Sequence, residues 1–263
     1  MGKDNALTGS DCLISTIDSE SGVATLTLNR PPLNILNIAM LRQLETEIES
    51  LSTGIDVRAL VLRASGKMFS AGVDVGDHTP DKVGEMIPLF DRVCRSLAEF
   101  PTPTLAAIQG HALGGGCELV LCCDLAVMAE GSVIGQPEIQ LAAMAPIAAL
   151  RLPYLVGFRA AADLMFTGRN LTAGEALSFG LVNAVVPGEL VDRWAMEKAN
   201  HIAGFSRAAM SFLKQALLLG YSNWADGLPE VERLYLDELM KTADAQEGLS
   251  AFIEKRKPEW IHG

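Results

Sequence analysis

The feature that most constrains this chain is a run of three glycines between an apolar strand and an apolar helix, within HALGGGCELVL at 111–121. The apolar stretch 104–108 predicts the strand, and Glu118 falls in the first turn of the predicted helix. Glycines turn the backbone without a Cβ penalty and let a ligand approach bare N–H groups at a helix start. Such N–H groups stabilise negative charge that develops on an oxygen. The segment therefore predicts a binding turn with a proton-transfer group beside it.

The composition describes a soluble globular enzyme with a sizeable core. The chain has 263 residues, of which 49% are hydrophobic and 20% charged. The net charge of −11 disfavours nucleic acids and anionic membranes, because phosphates are bound by basic faces. No apolar run reaches the ~18 residues of a membrane span, and the N-terminal residues lack the apolar core of a signal peptide. We therefore expect a cytoplasmic protein that binds neither membrane nor nucleic acid.

The cysteines do not predict a metal site. The chain has five of them, mostly in apolar segments, and they lack the paired spacing of a zinc site. They are Cys12, Cys94, Cys117, Cys122 and Cys123. This pattern is typical of free buried thiols in a reducing compartment.

Strand and helix patterns alternate over about the first 190 residues, which predicts the α/β class. The predicted strands are 23–28, 57–62, 104–108, 124–128 and 182–186, and the predicted helices between them include 38–51 and 81–99. From Leu190 onward the pattern is helical, with segments at 190–204, 206–220, 228–243 and 244–256. We therefore predict an α/β core over 1–195 and a helical region over 196–263.

Two further segments are candidates for a functional site, and Glu118 is a candidate buried carboxylate. Small residues in KMFSAGVD at 67–74 let a backbone approach a ligand, or else form an ordinary turn. In GQPEI at 135–139, Pro137 places Glu138 in a rigid turn, or else the segment is a surface loop. A carboxylate buried at Glu118 needs a partner or a raised pKa, and the alternative is a charge favoured by the helix dipole.

Four other polar residues near these segments have two interpretations each. Asp74 and Asp77 either line a pocket or cap the turn that follows them. His78 and His111 lie beside the motifs, where a single histidine is more typical of a structural role than of catalysis.

Taken together, these segments resemble the crotonase (enoyl-CoA hydratase/isomerase) superfamily in order and spacing. The matching elements are FSAGVD at 69–74, ALGGGCEL at 112–119, GQPEI at 135–139, LTAGEALSFGLVN at 171–183 and AFIEKR at 251–256. The resemblance covers about residues 12–260. It implies an α/β crotonase spiral of repeated ββα units with a helical C-terminal region used in trimerisation. It also implies a homotrimer, or a homohexamer built as a dimer of trimers.

The resemblance also implies roles for individual residues. The backbone N–H groups of Val73 and Gly115 would hold the carbonyl oxygen of an acyl-CoA thioester. Glu118 and Glu138 would exchange protons with water and a substrate carbon, as in family hydratases. Positions assigned to CoA or substrate binding are Ala71, Gly114, Ala142, Phe252 and Lys255, although Lys255 could equally be a solvated helix charge. The resemblance implies no metal and no separate cofactor, because CoA arrives as part of the substrate.

The presence of both glutamates favours hydration, since family isomerases commonly keep only the carboxylate that matches Glu138. The chain departs from straight-chain hydratases at 141–150, where LAAMAPIAAL contains no glycine. Here the resemblance is strongest to hydratases of cyclic dienoyl-CoA esters such as cyclohexa-1,5-diene-1-carbonyl-CoA, which also carry an Ala-Pro element at this point. A flat apolar wall suits a six-membered ring. Double-bond isomerisation by Glu138 alone, thioester hydrolysis and a non-catalytic RNA-binding role are the alternatives.

Overall fold

A computed structural model describes residues 12–79, 81–141, 143–219, 238 and 241–261. Its strands are β1 (Leu13–Ile17), β2 (Val23–Leu28), β3 (Ala59–Ala64), β4 (Thr104–Ile108), β5 (Ala112–Leu113), β6 (Leu125–Ala129), β7 (Val133–Gly135), β8 (Asn170–Thr172) and β9 (Ala184–Val186). Its α-helices are α1 (Ile38–Thr53), α2 (Val83–Ala98), α3 (Gly115–Leu121), α4 (Pro146–Val156), α5 (Phe158–Thr167), α6 (Ala173–Ser178), α7 (Val191–Ala203), α8 (Arg207–Leu219) and α9 (Ala243–Glu254). Short 3-10 helices span Val75–Asp77, Pro137–Leu141 and Gly188–Leu190.

The strands form two sheets. The larger has the order β1-β2-β3-β4-β6-β9 and is parallel except for β1, which pairs antiparallel with β2. The smaller has the order β5-β7-β8. Parallel neighbours need a crossover between them, and α1 and α2 provide the first two, from β2 to β3 and from β3 to β4. This alternation confirms the predicted α/β class.

The core lies on both faces of the larger sheet, because successive side chains of a strand point to opposite faces. Leu60 and Leu62 of β3 pack with α1 and α2 in one apolar cluster. Ala59 and Val61 of the same strand belong to a second cluster, which includes the buried face of α7. This two-sided burial explains why the central strands read as continuous apolar runs. The predicted boundary at 195/196 stays a prediction, although α7 spans it and packs on the sheet.

Most predicted elements are confirmed, with shifts of one or two residues at their ends. Helix α1 continues to Thr53, and β3 begins at Ala59 rather than at 57. The prediction missed β1, an edge strand whose side chains are mostly not buried. It also missed β5, β7 and β8, because two or three residues are too few to show a period. The helix predicted at 228–243 falls almost wholly outside the described residues.

None of the helices within the described ranges combines the length and apolar character that a membrane crossing requires. All five cysteines are free thiols, and all except the partly buried Cys12 are buried. The interpretation of the cysteines as mostly buried free thiols is therefore confirmed.

Helix α8 is joined to the sheet by a largely buried ion pair. Lys214 Nζ lies 2.8 Å from Asp124 Oδ2, and the side chains are 6% and 30% exposed. Nζ also donates to the Thr102 carbonyl oxygen at 3.3 Å. The same Asp124 oxygen accepts from the Thr104 N–H at 2.8 Å and from the Thr104 hydroxyl at 3.0 Å. The pair therefore links the helical region to the start of β4.

We expect Lys214→Met to lower the free energy of unfolding by about 2 kcal/mol, because the partly buried Asp124 carboxylate loses its cation. Denaturant unfolding followed by circular dichroism measures this loss. The matched control is Arg193→Met, which breaks the exposed Arg193–Glu197 pair one turn apart on α7 and should change stability little. Equal losses in the two variants would contradict the linking role of Lys214.

Candidate active site

The loop that follows β3 is held by buried side chains. Asn34 Nδ2 donates to the carbonyl oxygens of Ser65 at 2.9 Å and Met68 at 2.7 Å. Ser70 Oγ donates to the Asn34 carbonyl oxygen at 2.8 Å and accepts from the Gly72 N–H at 3.1 Å. Asn34 has a φ of +48°, which asparagine tolerates better than most residues. Sequence reasoning missed Asn34, although an asparagine just after two prolines is a turn signal that could have found it.

Backbone pairing aims the Val73 N–H away from its own loop. The Leu36 N–H donates to the Gly72 oxygen at 2.9 Å, and the Asp74 N–H donates to the Leu36 oxygen at 3.0 Å. In such a parallel bridge the N–H of the central residue points to the other side. Within the described ranges, the Val73 N–H has no acceptor.

The triple-glycine turn brings the three predicted segments together. The Leu113 N–H donates to the Ser70 oxygen at 3.0 Å, and the Gly114 N–H donates to the Gly135 oxygen at 2.9 Å. The turn therefore pairs with the loop after β3 on one side and with the end of β7 on the other. From Gly135 the chain enters the 3-10 helix that carries Glu138.

The glycines leave no space for side chains in this turn. Gly114 has φ +53° and ψ −128°, and a Cβ on it would lie 2.5 Å from Glu138 Oε1. A Cβ on Gly115 would lie 2.7 Å from Val73 Cγ2 and 3.3 Å from the Val73 nitrogen. Gly115 is the first residue of α3, so its N–H has no partner within the helix, and no other described residue accepts it. Two N–H groups without acceptors therefore lie close together, next to the Glu138 carboxylate.

Glu118 is buried, as the sequence indicated, and the residue is 3% exposed. Its Oε1 accepts from the Ala148 N–H at 3.0 Å, and the neighbouring Ile147 N–H also lowers the pKa of the carboxyl. Both donors belong to the first turn of α4, which begins at Pro146. Burial raises the pKa of Glu118 to about 7, against the two N–H donors that lower it, and the negative charge of Glu138 raises it further. Glu118 therefore populates both protonation states near neutral pH, as general acid–base catalysis requires.

Glu138 is partly buried in the 3-10 helix Pro137–Leu141. Burial raises the pKa of its carboxyl, while its own N–H and the nearby charge of His78 lower it. Because Glu138 acts on the pKa of Glu118, the two carboxylates are electrostatic neighbours. The structure thus brings together the four residues that sequence reasoning put at the centre of the site: Val73, Gly115, Glu118 and Glu138.

The other predicted binding residues are less fully described. Ala71 lies in the loop after β3, where its N–H donates to the Leu33 oxygen at 2.9 Å. Ala142 lies outside the described residues, as does the side chain of Phe252 in α9. Lys255 is exposed just past the end of α9, with a φ of +56°. The proposed contacts of these residues with CoA stay predictions.

Asp74, Asp77 and His111 take structural roles. Asp74 Oδ1 accepts from the Gly76 N–H at 2.9 Å, and Asp77 Oδ2 accepts from the Ile38 N–H at 3.0 Å at the start of α1. His111 Nδ1 accepts from the Val133 N–H at 3.1 Å. His78 differs from these three, because its charge acts on Glu138. Among the described residues, no three side chains of His, Cys, Asp or Glu come together as metal ligands.

Comparison with known proteins first defines the class. The family model described as enoyl-CoA hydratase/isomerase matches residues 18–263. A crystal structure of enoyl-CoA hydratase from Mycobacterium smegmatis superposes with a TM-score of 0.90 at 32% identity, covering 95% of this chain and 99% of that one. The fold is therefore the crotonase fold, and the protein is a hydratase-type enzyme.

Curated relatives agree with this class. Cyclohexa-1,5-dienecarbonyl-CoA hydratase from Thauera aromatica is 34% identical over 247 residues, which cover 93% of this chain and 95% of the relative. A probable enoyl-CoA hydratase from Rhizobium meliloti is 36% identical over 250 residues, which cover 94% of this chain and 97% of the relative. This chain belongs to the enoyl-CoA hydratase/isomerase family, the crotonase superfamily, and the predicted resemblance is confirmed.

The raised pKa of Glu118 predicts a pH-dependent stability. The unfolded chain releases this proton near pH 4.5, whereas the folded protein keeps it to about pH 7. The contribution of Glu118 to stability is therefore fully present below about pH 4.5 and is lost as the pH rises through about 7. Relative to Glu118→Gln, which cannot titrate, the wild type should lose about 3 kcal/mol over this range. Urea unfolding of both proteins at several pH values measures the difference, and a difference independent of pH would contradict the raised pKa.

Proposed function

We propose that the enzyme adds water to an unsaturated acyl-CoA thioester through an enolate held in an oxyanion hole. One observation carries this proposal: the N–H groups of Val73 and Gly115, which have no acceptor among the described residues, lie close together beside the Glu138 carboxylate. A thioester oxygen accepting from both groups would gain negative charge as the reaction proceeds. Preorganised donors of this kind stabilise that charge by about 3 kcal/mol each.

The two carboxyl groups supply the proton transfers. In hydration, one carboxylate removes a proton from water as the water oxygen attacks the unsaturated carbon. The electron pair of the double bond moves toward the thioester oxygen and forms the enolate. The other group, as a carboxylic acid, then protonates the enolate carbon, which completes the addition of water. Glu118 and Glu138 fit this scheme, because burial raises the pKa of both carboxyls toward neutrality.

The substrate we propose is a cyclic dienoyl ester such as cyclohexa-1,5-diene-1-carbonyl-CoA. The segment 141–150, which follows Glu138 and which we assign to a wall of the acyl pocket, has no glycine. Within it, Ala145 and Ala148 at the start of α4 are buried. Small apolar side chains in place of bare backbone suit a flat ring. The name of the Thauera aromatica relative supports the same substrate. CoA enters as part of the substrate, and we assign Ala71, Gly114, Ala142, Phe252 and Lys255 to binding it or the acyl group.

A direct comparison of two substrates tests this proposal. The purified enzyme is assayed with crotonyl-CoA and with cyclohexa-1,5-diene-1-carbonyl-CoA in water enriched in oxygen-18. We expect incorporation of solvent oxygen into both products and a higher kcat/KM for the cyclic ester. Crotonyl-CoA turned over at least as fast would refute the cyclic substrate. Double-bond migration without oxygen uptake would instead establish isomerisation, and release of free CoA thiol would establish hydrolysis.

We also propose a cytoplasmic homotrimer or homohexamer. The free thiols fit a reducing compartment. Helices α4 and α5 expose large apolar side chains, namely Leu150, Tyr154, Phe158 and Phe166. Contiguous exposed apolar patches are typical of subunit interfaces, and we propose that these side chains contribute to one. Light scattering should give the mass of three or six chains, and a monomer would contradict the assembly.

A further inference from the structure

The Glu138 carboxylate has a buried neighbour that the reaction described above does not use. Gln136 stands between the end of β7 and the 3-10 helix that carries Glu138, and it is 2% exposed. One orientation of its amide satisfies both ends of the side chain. In that orientation Nε2 donates to the Glu138 oxygens Oε2 at 3.0 Å and Oε1 at 3.2 Å. We propose that Gln136 is a positioning residue that fixes the Glu138 carboxylate for proton transfer, an inference that rests on the proposed hydratase function.

Two neighbours restrict the position of the Glu138 carboxylate. Glu138 Oε1 lies against Gly114, where even an added Cβ would approach it to 2.5 Å. Gln136 contacts both carboxylate oxygens. The carboxylate is therefore confined by backbone on one side and by an amide donor on another. A donor shared by both oxygens favours one rotation of the group and favours its ionised form.

The Gln136 side chain has a second neighbour on α3. The Cys117 side chain adjoins the Gln136 amide, and Cys117 is buried in the first turn of α3. A thiol is a weak donor, so the amide oxygen can face Cys117 while the amide nitrogen faces Glu138. The three side chains form a chain of contacts from α3 to the reacting carboxyl group.

Other titratable groups also surround Glu138. His78, on the loop beyond Val73, acts electrostatically on Glu138 and lowers its pKa. Glu118 and the buried Cys117 thiol are the other titratable groups nearby, and the charge of Glu138 raises the pKa of both. Gln136 differs from these groups because it is uncharged throughout the working range of pH. Its effect should therefore be a constant offset in the pKa of Glu138 and a restriction of its rotation.

The first test compares Gln136→Leu with Gln140→Leu. Gln140 belongs to the same 3-10 helix and donates to the Gly168 oxygen at 3.0 Å, so its variant is the same chemical change with a different partner. For Gln136→Leu we expect kcat to fall by about 10-fold to 100-fold with KM unchanged, because a hydrogen bond to a charged group is lost. The limb of the pH–rate profile that reports Glu138 should move to higher pH, because the carboxylate loses a donor. Gln140→Leu should keep the wild-type kcat and profile.

A second variant keeps the proposal testable if Gln136→Leu does not fold. Gln136→Glu preserves the shape of the side chain, but the introduced group can donate to Glu138 only while it is protonated. Its activity relative to wild type should therefore be highest at low pH and fall as the pH rises. An unchanged profile in this variant, or a wild-type kcat in a folded Gln136→Leu protein, would overturn the proposal.

A double variant separates this inference from the proposed function. If Gln136 acts through Glu138, Gln136→Leu should cost nothing further in a Glu138→Gln background. Equal fold-losses in the two backgrounds would show that Gln136 acts elsewhere and would overturn the inference alone. Full hydratase activity in Glu138→Gln itself would overturn the proposed function.

Discussion

Glu138→Gln should lower kcat for hydration by about 10²-fold to 10⁴-fold, the usual contribution of a general acid or base. The substitution keeps the size of the side chain and removes only its ability to exchange a proton. The carboxyl lies beside Gly114 and near the N–H groups of Val73 and Gly115, to which we assign the thioester oxygen. Steady-state rates with the preferred acyl-CoA measure the loss.

Two further measurements serve as controls for this variant: its thermal stability and its KM. Glu138 is only partly buried and lies in a short 3-10 helix, so the midpoint of thermal unfolding should stay near that of the wild type. KM should change little, because the charge of Glu138 is not needed to bind CoA in our proposal. Near-normal turnover by a folded Glu138→Gln protein would contradict the role assigned to this residue.

Gly115→Pro should lower kcat by about 10²-fold to 10³-fold, as expected when one oxyanion donor is removed. Proline has no N–H, and it is well tolerated at the first position of a helix, where Gly115 stands. The substitution therefore removes one of the two proposed donors with little effect on α3 itself. Rates measured at saturating substrate report the effect on the chemical step.

The crowding caused by the Cβ of proline is controlled by Gly115→Ala. A Cβ at this position meets the end of the Val73 side chain at 2.7 Å and Phe90 Cζ at 3.2 Å, and both variants share that crowding. Only the proline variant also replaces the N–H with a ring Cδ. The ratio of kcat between the alanine and proline variants therefore reports the loss of the donor together with the Cδ that takes its place, and a ratio near one would refute the oxyanion role of Gly115.

The sequence predicted those parts of the candidate site whose backbone geometry depends on neighbouring residues in the chain. The start of α3 at the triple glycine and the turn that carries Glu138 follow from local backbone preferences, and the structure has both. The resemblance to the crotonase superfamily added the pairing of Val73 with Gly115 before any distance was known. The structure shows how close these two residues lie.

Contacts between distant segments could not be predicted. Glu118 bonds the N–H of Ala148, 30 residues away, and Asp77 bonds the N–H of Ile38, 39 residues away. Asn34 holds carbonyl oxygens more than 30 residues further along the chain. Each of these partners depends on how helices and loops dock on the sheet, which local propensity does not encode.

The sequence by itself determined the α/β class and the glycine turn, because these follow from hydrophobic periodicity and backbone freedom. The roles of Glu118 and Glu138 as acid and base came from the resemblance to the crotonase superfamily and stay predictions. Only the tertiary structure decided which N–H groups lack acceptors and how far the pKa of Glu118 rises. Burial and the distance to each partner set these properties, and both arise when segments distant in the chain pack together.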